Sequence, residues 1–217
     1  AGFRGEAVVG DEFVVEGGGQ GTNIACCIAR LGGTVRYVGT VGDDEEGRFC
    51  IKRLQDFGVD TGSIRVLPNE TTPVAYIFVT RATGKRTIIY EPTRLPPIPV
   101  DDGLRAMIVT ARVLLLDPSV TYLATELKTL KQRALTVYDC ERWKDGILDM
   151  MAMADYFIPS SAFLDDPVLA LPSATPQEKI ITLAHRIGGR LVVTAGEHGA
   201  YYLHEGTLHL VPPPAAA

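Results

Sequence analysis

Gly17 to Leu31 reads Gly-Gly-Gly-Gln-Gly-Thr-Asn-Ile-Ala-Cys-Cys-Ile-Ala-Arg-Leu, and no other stretch limits the fold so tightly. Three consecutive glycines and a fourth after Gln20 permit backbone turns that a Cβ forbids. Asn23 is predicted to open an amphipathic helix, because Ile24, Cys27, Ile28 and Leu31 fall at offsets 0, 3, 4 and 7. A bare glycine loop carrying Gln20 and Asn23 at the positive end of a helix dipole can close around a small ligand rich in hydroxyl or anionic groups. The P-loop pattern is absent, and the dinucleotide fingerprint lacks its framing strand and acidic partner. From the glycines alone, a helix-opening turn and a ligand loop fit equally well.

The rest of the chain sets the class. Its 217 residues are long enough to bury a proper core in one domain, with or without a small appendage. A net charge of −5 argues against a nucleic-acid partner. No apolar run approaches a membrane span and no charged-then-apolar leader is seen, so no membrane partner is expected. Cys26, Cys27, Cys50 and Cys140 show neither metal-ligand spacing nor the density of a disulfide framework, which points to reduced thiols and a cytoplasmic setting.

Phe3 to Val9 and Glu12 to Val15 read as a hairpin around Gly10-Asp11 or, because their alternation is imperfect, as one bent strand. Thr34 to Val41 is a β-branched strand, and Asp43 with Glu46 forms a capping box for a helix in which Cys50, Leu54 and Phe57 share a face and Gly58 is the stop. Val74 to Thr80 and Arg86 to Tyr90 read as a second hairpin, followed by a stiff run through Pro92, Pro96, Pro97 and Pro99. From Val100 the rhythm is helix and strand in turn. Helices are expected at 101–110, 125–133, 143–154 and 176–187, and strands at 113–117, 135–139, 156–158 and 191–195. A closing hairpin turns at Glu205-Gly206. Such alternation argues for a parallel α/β sheet, with Val113 to Leu116 a continuously apolar, buried strand. The passage from helix to strand over Lys131 to Leu135 has no Gly, Pro or Asn and reads as a join from which residues are missing.

Several of these motifs together resemble the ribokinase-like, or phosphofructokinase-B, family of carbohydrate kinases. They are Gly18-Gly19-Gln20-Gly21-Thr22-Asn23 followed by Ala25 and Ala29-Arg30-Leu31-Gly32, then Val41-Gly42-Asp43-Asp44-Glu45-Glu46-Gly47, and Thr194-Ala195-Gly196-Glu197-His198-Gly199. The resemblance covers nearly the whole chain. It implies one ribokinase-like α/β domain over 1–217, incomplete at both ends. The sheet would be mostly parallel with helices on both faces, and a small β-sheet lid would be built from about 3–16 and 73–91. Val59-Asp60-Thr61-Gly62-Ser63 is an ordinary helix-to-strand link under this reading. Such lids often pair between subunits, which implies a homodimer.

For the site, the resemblance implies that Gly19, Gln20 and Asn23 hold a sugar, with Asp117 leading into the cleft. It implies that Asp139, Arg142, Ser160, Thr194, Gly196 and Gly199 line ATP, with Mg²⁺ on the phosphates. Read without the family, Asp117 and Asp139 are also ordinary strand-end caps, and the Gly196–Gly199 turn is a tight hairpin turn. Phe163 stands where many relatives carry a metal-organising Glu, and Ser160 where many carry Asn. Here and in the lid the chain is nearer to ketohexokinase-like and sulfofructose-kinase-like branches. The family's Asp-x-x-Gly-Ala-Gly-Asp turn, with its catalytic base, has no counterpart in the sequence, so no catalytic residue and no metal ligand is assigned. The expected activity of the parent protein is transfer of the γ-phosphoryl group of ATP to a primary hydroxyl of a hexose or ketose. A nucleoside kinase of the same fold and a non-catalytic sugar-binding or regulatory protein are the alternatives.

Overall fold

Gly19, and not Asn23, sets the start of the first helix, α1 (Gln20–Arg30). Its φ of 100° is a conformation that only glycine adopts without strain, and its carbonyl accepts the Asn23 N–H at 3.0 Å. The buried stripe also differs from the expected one. Ala25 packs with Leu54 and Val59, with Cys26 and Ala29 beside them, whereas Leu31 is 88% exposed and Ile28 38%. Small side chains let α1 approach its neighbours closely, and the larger apolar residues are left outside that contact.

The computed structural model describes residues 13–84, 86–90, 92, 94–131, 133–141, 143–171, 175–187 and 190–213. The hairpin expected near the N-terminus falls mostly outside this set, and 13–15 take no regular secondary structure. The chain divides into two units, Ala1–Pro96 and Pro97–Ala217.

In the first unit, β1 (Arg36–Gly42) pairs in parallel with β2 (Asp60–Leu67) across the helix α2 (Glu45–Asp56). The cap of α2 is Asp44 rather than Asp43. Its carboxylate accepts the Gly47 N–H at 2.8 Å, while Asp43 pairs with Arg48 at 3.0 Å. A glycine at the third helical position cannot return the bond of a capping box, so the cap is one-sided. Leu54 is buried on α2 with Cys50 and Phe57 half-buried, and Gly58 stops the helix at φ 82°. Asp60 to Ser63 begin β2, where Asp60 pairs with Arg36 at 2.7 Å and accepts the Gly62 N–H. The strands β3 (Ala75–Val79) and β4 (Arg86–Tyr90) form the expected antiparallel hairpin, and all ten residues are exposed.

The second unit is built on a six-stranded mixed sheet in the order β10-β9-β8-β7-β6-β5. β5 (Val113–Leu116), β6 (Leu135–Cys140), β7 (Tyr156–Pro159) and β8 (Arg190–Thr194) run parallel. β9 (Ala200–His204) and β10 (Thr207–Val211) return antiparallel, joined by Glu205 at φ 49° and Gly206 at φ 76°, the two positive angles of a type I′ turn. The apolar run of β5 was expected to be buried, but β5 is the end strand of this sheet and Val113 is 55% exposed.

Helices α3 (Asp102–Thr110), α4 (Ala124–Leu130), α5 (Ile147–Met153) and α6 (Pro176–Ile187) alternate with the strands. Asp101 caps α3 through the Leu104 N–H at 2.8 Å. Thr175 and Glu178 form a capping box for α6, with Pro176 in its first turn. The helix expected from Trp143 begins only at Ile147. Gly146 sits at φ 82° against the Thr121 carbonyl, a left-handed residue that α-helix propagation cannot include.

Lys131 accounts for the abrupt passage from α4 to β6. Its ammonium donates to the Met153 carbonyl at 2.8 Å, to Asp155 at 3.1 Å and to the Thr136 hydroxyl at 3.2 Å. Asp155 in turn accepts the Thr136 N–H and hydroxyl at 2.8 and 2.7 Å, so the amino ends of β6 and β7 are tied together where a glycine stop would ordinarily stand. Above this network Tyr138 stacks on Phe157, which meets Phe163 edge-on, and all three are essentially inaccessible.

Candidate functional site

Parallel strands end in carbonyls and turn into helices at one edge of a sheet, which is why ligands of open α/β sheets collect there. In the second unit four sequence-predicted residues lie along that edge in strand order. Asp117 follows β5, Asp139 lies at the end of β6, Ser160 follows β7 and Thr194 ends β8. Ser160 and Thr194 are joined by a parallel β-bridge, and the Thr194 hydroxyl is 3.5 Å from the Pro159 carbonyl. The Ser160 hydroxyl donates to the Glu141 carbonyl at 3.2 Å. Arg142 lies outside the described residues.

The electrostatics of this edge are negative. Asp139 is half-buried, and burial first, then Asp117 and Glu141, push its carboxyl above the ordinary range. Asp117 is held by the N–H of Ser119 at 2.7 Å and by the Ser119 hydroxyl, so it also opens the following 3-10 turn, as a plain cap would. One residue before Asp139 in the same strand, the Tyr138 hydroxyl is inaccessible. Burial is the main reason that its ionisation is pushed upward. No motif marks Tyr138 in the sequence. The only signal is its place between Val137 and Asp139 in a strand with period-2 burial.

The turn after β8 owes its glycines to two different causes. A Cβ on Gly199 would lie 2.1 Å from the Val211 carbonyl, and its φ is 90°. Gly196 has φ 56° but faces open space. Gly199 is therefore fixed by the neighbouring strand β10, while Gly196 leaves a bare backbone facing outward beside Thr194.

In the first unit, the glycine loop and α1 border a cleft of about 310 Å³ whose walls include Glu16, Gly17, Thr22, Asn23, Cys26 and Arg53. Of the three residues expected to hold a sugar, Asn23 lines this cleft, while Gly19 and Gln20 form the helix start beside it. Arg53 pairs with Glu16 at 2.6 Å and lies over the Phe57 ring. The Thr22 hydroxyl donates to the Tyr37 hydroxyl at 3.3 Å. Burial, helped by the adjacent Cys27, raises the Cys26 thiol despite the nearby Arg53 guanidinium. Thr22 and Arg53 were not singled out by sequence. A Thr inside a glycine run and an Arg on a neighbouring helix carry no spacing signal.

Phe163, expected where relatives place a metal-organising carboxylate, is 2% exposed and part of the Tyr138–Phe157 stack. Among the described residues no group of three His, Cys, Asp or Glu side chains is placed to hold a metal ion, and no helix is long and apolar enough to cross a membrane.

Comparison with known proteins agrees with these features. Aminoimidazole riboside kinase of Salmonella typhimurium is 40% identical over 73 residues, covering 34% of this chain and 23% of that protein. Fructokinase-1 of Zea mays is 29% identical over 126 residues, covering 58% and 39%. The chain thus matches less than half the length of these curated relatives. The structure of Arabidopsis thaliana ribokinase complexed with ribose and ATP superposes with a TM-score of 0.74 at 21% identity, covering 92% of this chain and 68% of that one. That likeness establishes the ribokinase-like α/β fold, a mixed sheet flanked by helices. The family profile described as pfkB family carbohydrate kinase matches residues 1–217, and the chain belongs to that family.

Proposed function

We propose that this chain is the sugar- and nucleotide-binding body of an ATP-dependent sugar kinase whose acceptor is a hexose or ketose hydroxyl. The observation that supports it most is the row Asp117, Asp139, Ser160 and Thr194 along one carboxyl edge of the parallel strands, in a chain of the pfkB family. Thr194, the bare backbone at Gly196 and the Gly199 turn suit a ribose or phosphate, and Asp139, Ser160 and Arg142 would stand near the phosphates. Gly19, Gln20 and Asn23 would hold the sugar, with Asp117 at the cleft. Phosphoryl transfer needs positioning and neutralisation of charge more than covalent chemistry.

Mg²⁺ enters this scheme on the triphosphate. No residue of this chain is assigned to hold it. The general base is not assigned to any residue of this chain. The exposed, apolar-rich β3–β4 hairpin suits a lid that pairs with a second copy, giving a homodimer, and the thiol usage suits the cytoplasm. A nucleoside-like acceptor is the second reading, since a riboside kinase and a fructokinase are matched at the same 40% identity over short stretches.

Calorimetric titration with D-fructose, D-ribose and a riboside, each with and without a non-hydrolysable ATP analogue, tests both readings. Binding of a free sugar, weakened about tenfold or more by Asn23→Ala, is the expected result. Preference for the riboside selects the second reading, and an unchanged affinity in Asn23→Ala removes Asn23 from the site.

A further inference from the structure

The exposed hairpin β3–β4 is fastened to the rest of its unit at an unusual point. The segment just before β3 crosses close over two glycines. A Cβ on Gly42 would lie 2.2 Å from the Glu70 carbonyl oxygen, and one on Gly47 would lie 2.3 Å from the Gly42 carbonyl and 2.9 Å from the Thr72 hydroxyl. There Asp44 does more than cap α2. One carboxylate oxygen accepts the Gly47 N–H at 2.8 Å and the Thr72 hydroxyl at 2.7 Å, and the other accepts the Thr72 N–H at 2.6 Å. The Thr72 hydroxyl closes the ring by accepting the Gly42 N–H at 3.0 Å. Thr72 is half-buried, whereas the residues from Pro73 through Gly84 are exposed. Charge-assisted bonds of this kind are stronger than neutral ones, and here they hold a part of the chain that buries no side chain of its own.

We propose that Asp44 and Thr72 form a positioning clasp, which fixes the root of the hairpin to the β1–α2 turn and so sets how the hairpin meets a bound polyol. The second half of this statement rests on the sugar-kinase reading. Asp44 acts through Thr72 and touches no reacting atom. The two jobs of Asp44 are separable. Asn at this position keeps an oxygen for the Gly47 cap but turns a donor toward the Thr72 N–H, and Val in place of Thr72 keeps the shape without the hydroxyl.

Hydrogen exchange of the chain followed by mass spectrometry tests the clasp, and sugar titration tests its consequence. In Thr72→Val and Asp44→Asn, amides of Ala75–Val79 should exchange roughly tenfold faster while those of α2 keep their protection, and Thr72→Ser should restore the wild-type rates. The same two variants should weaken sugar binding and leave ATP-analogue binding unchanged. Unaltered exchange in β3, or equal acceleration in α2, overturns the clasp. Faster exchange in β3 with unaltered sugar affinity overturns its role in substrate positioning. A wild-type chain that binds no sugar overturns the sugar-kinase reading, and the exchange pattern then decides the clasp by itself.

Discussion

The two units are held together by different physics. Among the described residues, the first buries three apolar side chains, Ala25, Leu54 and Val59, whereas the buried apolar side chains of the second extend from Leu104 to Val193. The second unit is a packed sheet whose aromatic stack and polar staple at Lys131 leave little room for adjustment. The first relies on hydrogen bonds at its turns, as at Asp44, and on glycines that let backbone segments cross. A platform that presents strand ends benefits from rigidity. If the first unit holds the sugar as proposed, it benefits from being defined at its roots and free along its length.

This contrast is open to attack by substitution. Phe157→Ala removes the centre of the aromatic stack and should cost about 3–5 kcal/mol. Urea unfolding followed by the fluorescence of Trp143, the sole tryptophan and a member of the second unit, would show the midpoint fall, and a midpoint that stays put would mean that the stack is not what stabilises this unit. Asp155→Asn should cost less, about 1–3 kcal/mol, because one acceptor of the staple is weakened. Burial pushes the Asp155 carboxyl up, but the Thr136 N–H and hydroxyl and the Lys131 ammonium outweigh it, so its ionisation in the folded chain is lowered. The loss should therefore be full above the ordinary aspartate range near pH ~4, and should fade as pH falls through the lowered folded value. A loss independent of pH would sink the charged staple. Smallest of all is Arg36→Ala in the first unit. Its ion pair with Asp60 is more than half exposed on the arginine side, and the thermal midpoint should not move measurably.

Much of the second unit was legible because its signals are local. The helix α6 starts at Pro176 and ends at Ile187 as its periodicity dictates, and Glu205-Gly206 specifies its turn by composition. The same holds for β3 and β4, whose β-branched and aromatic residues flank a glycine-containing loop. The errors fall where a tertiary contact overrides a local rule. Asp43 and Asp44 are indistinguishable as caps until Thr72 arrives from 28 residues away to select Asp44. The left-handed Gly146 delays α5, and a Cβ there would lie 3.1 Å from the Thr121 carbonyl, a contact that nothing near Trp143 announces. Val113 to Leu116 carry the composition of an interior strand, yet which strand stands at the end of a sheet is a property of topology and not of composition. For the site, Asp117, Asp139, Ser160 and Thr194 were each read as strand-end residues, and each stands at or just after the end of its strand. Thr22, Arg53 and Tyr138 were missed because each gains its place through packing rather than spacing.

The contact between Gly199 and Val211 sets a condition on engineering. Because the carbonyl of Val211 occupies the space where a side chain at 199 would begin, the turn after β8 is shaped by a strand that follows it in the chain. A designer who transplants the Thr194–Gly199 turn into another scaffold must carry the closing hairpin through Pro212 with it. A library that varies position 199 alone would sample mostly chains that cannot close.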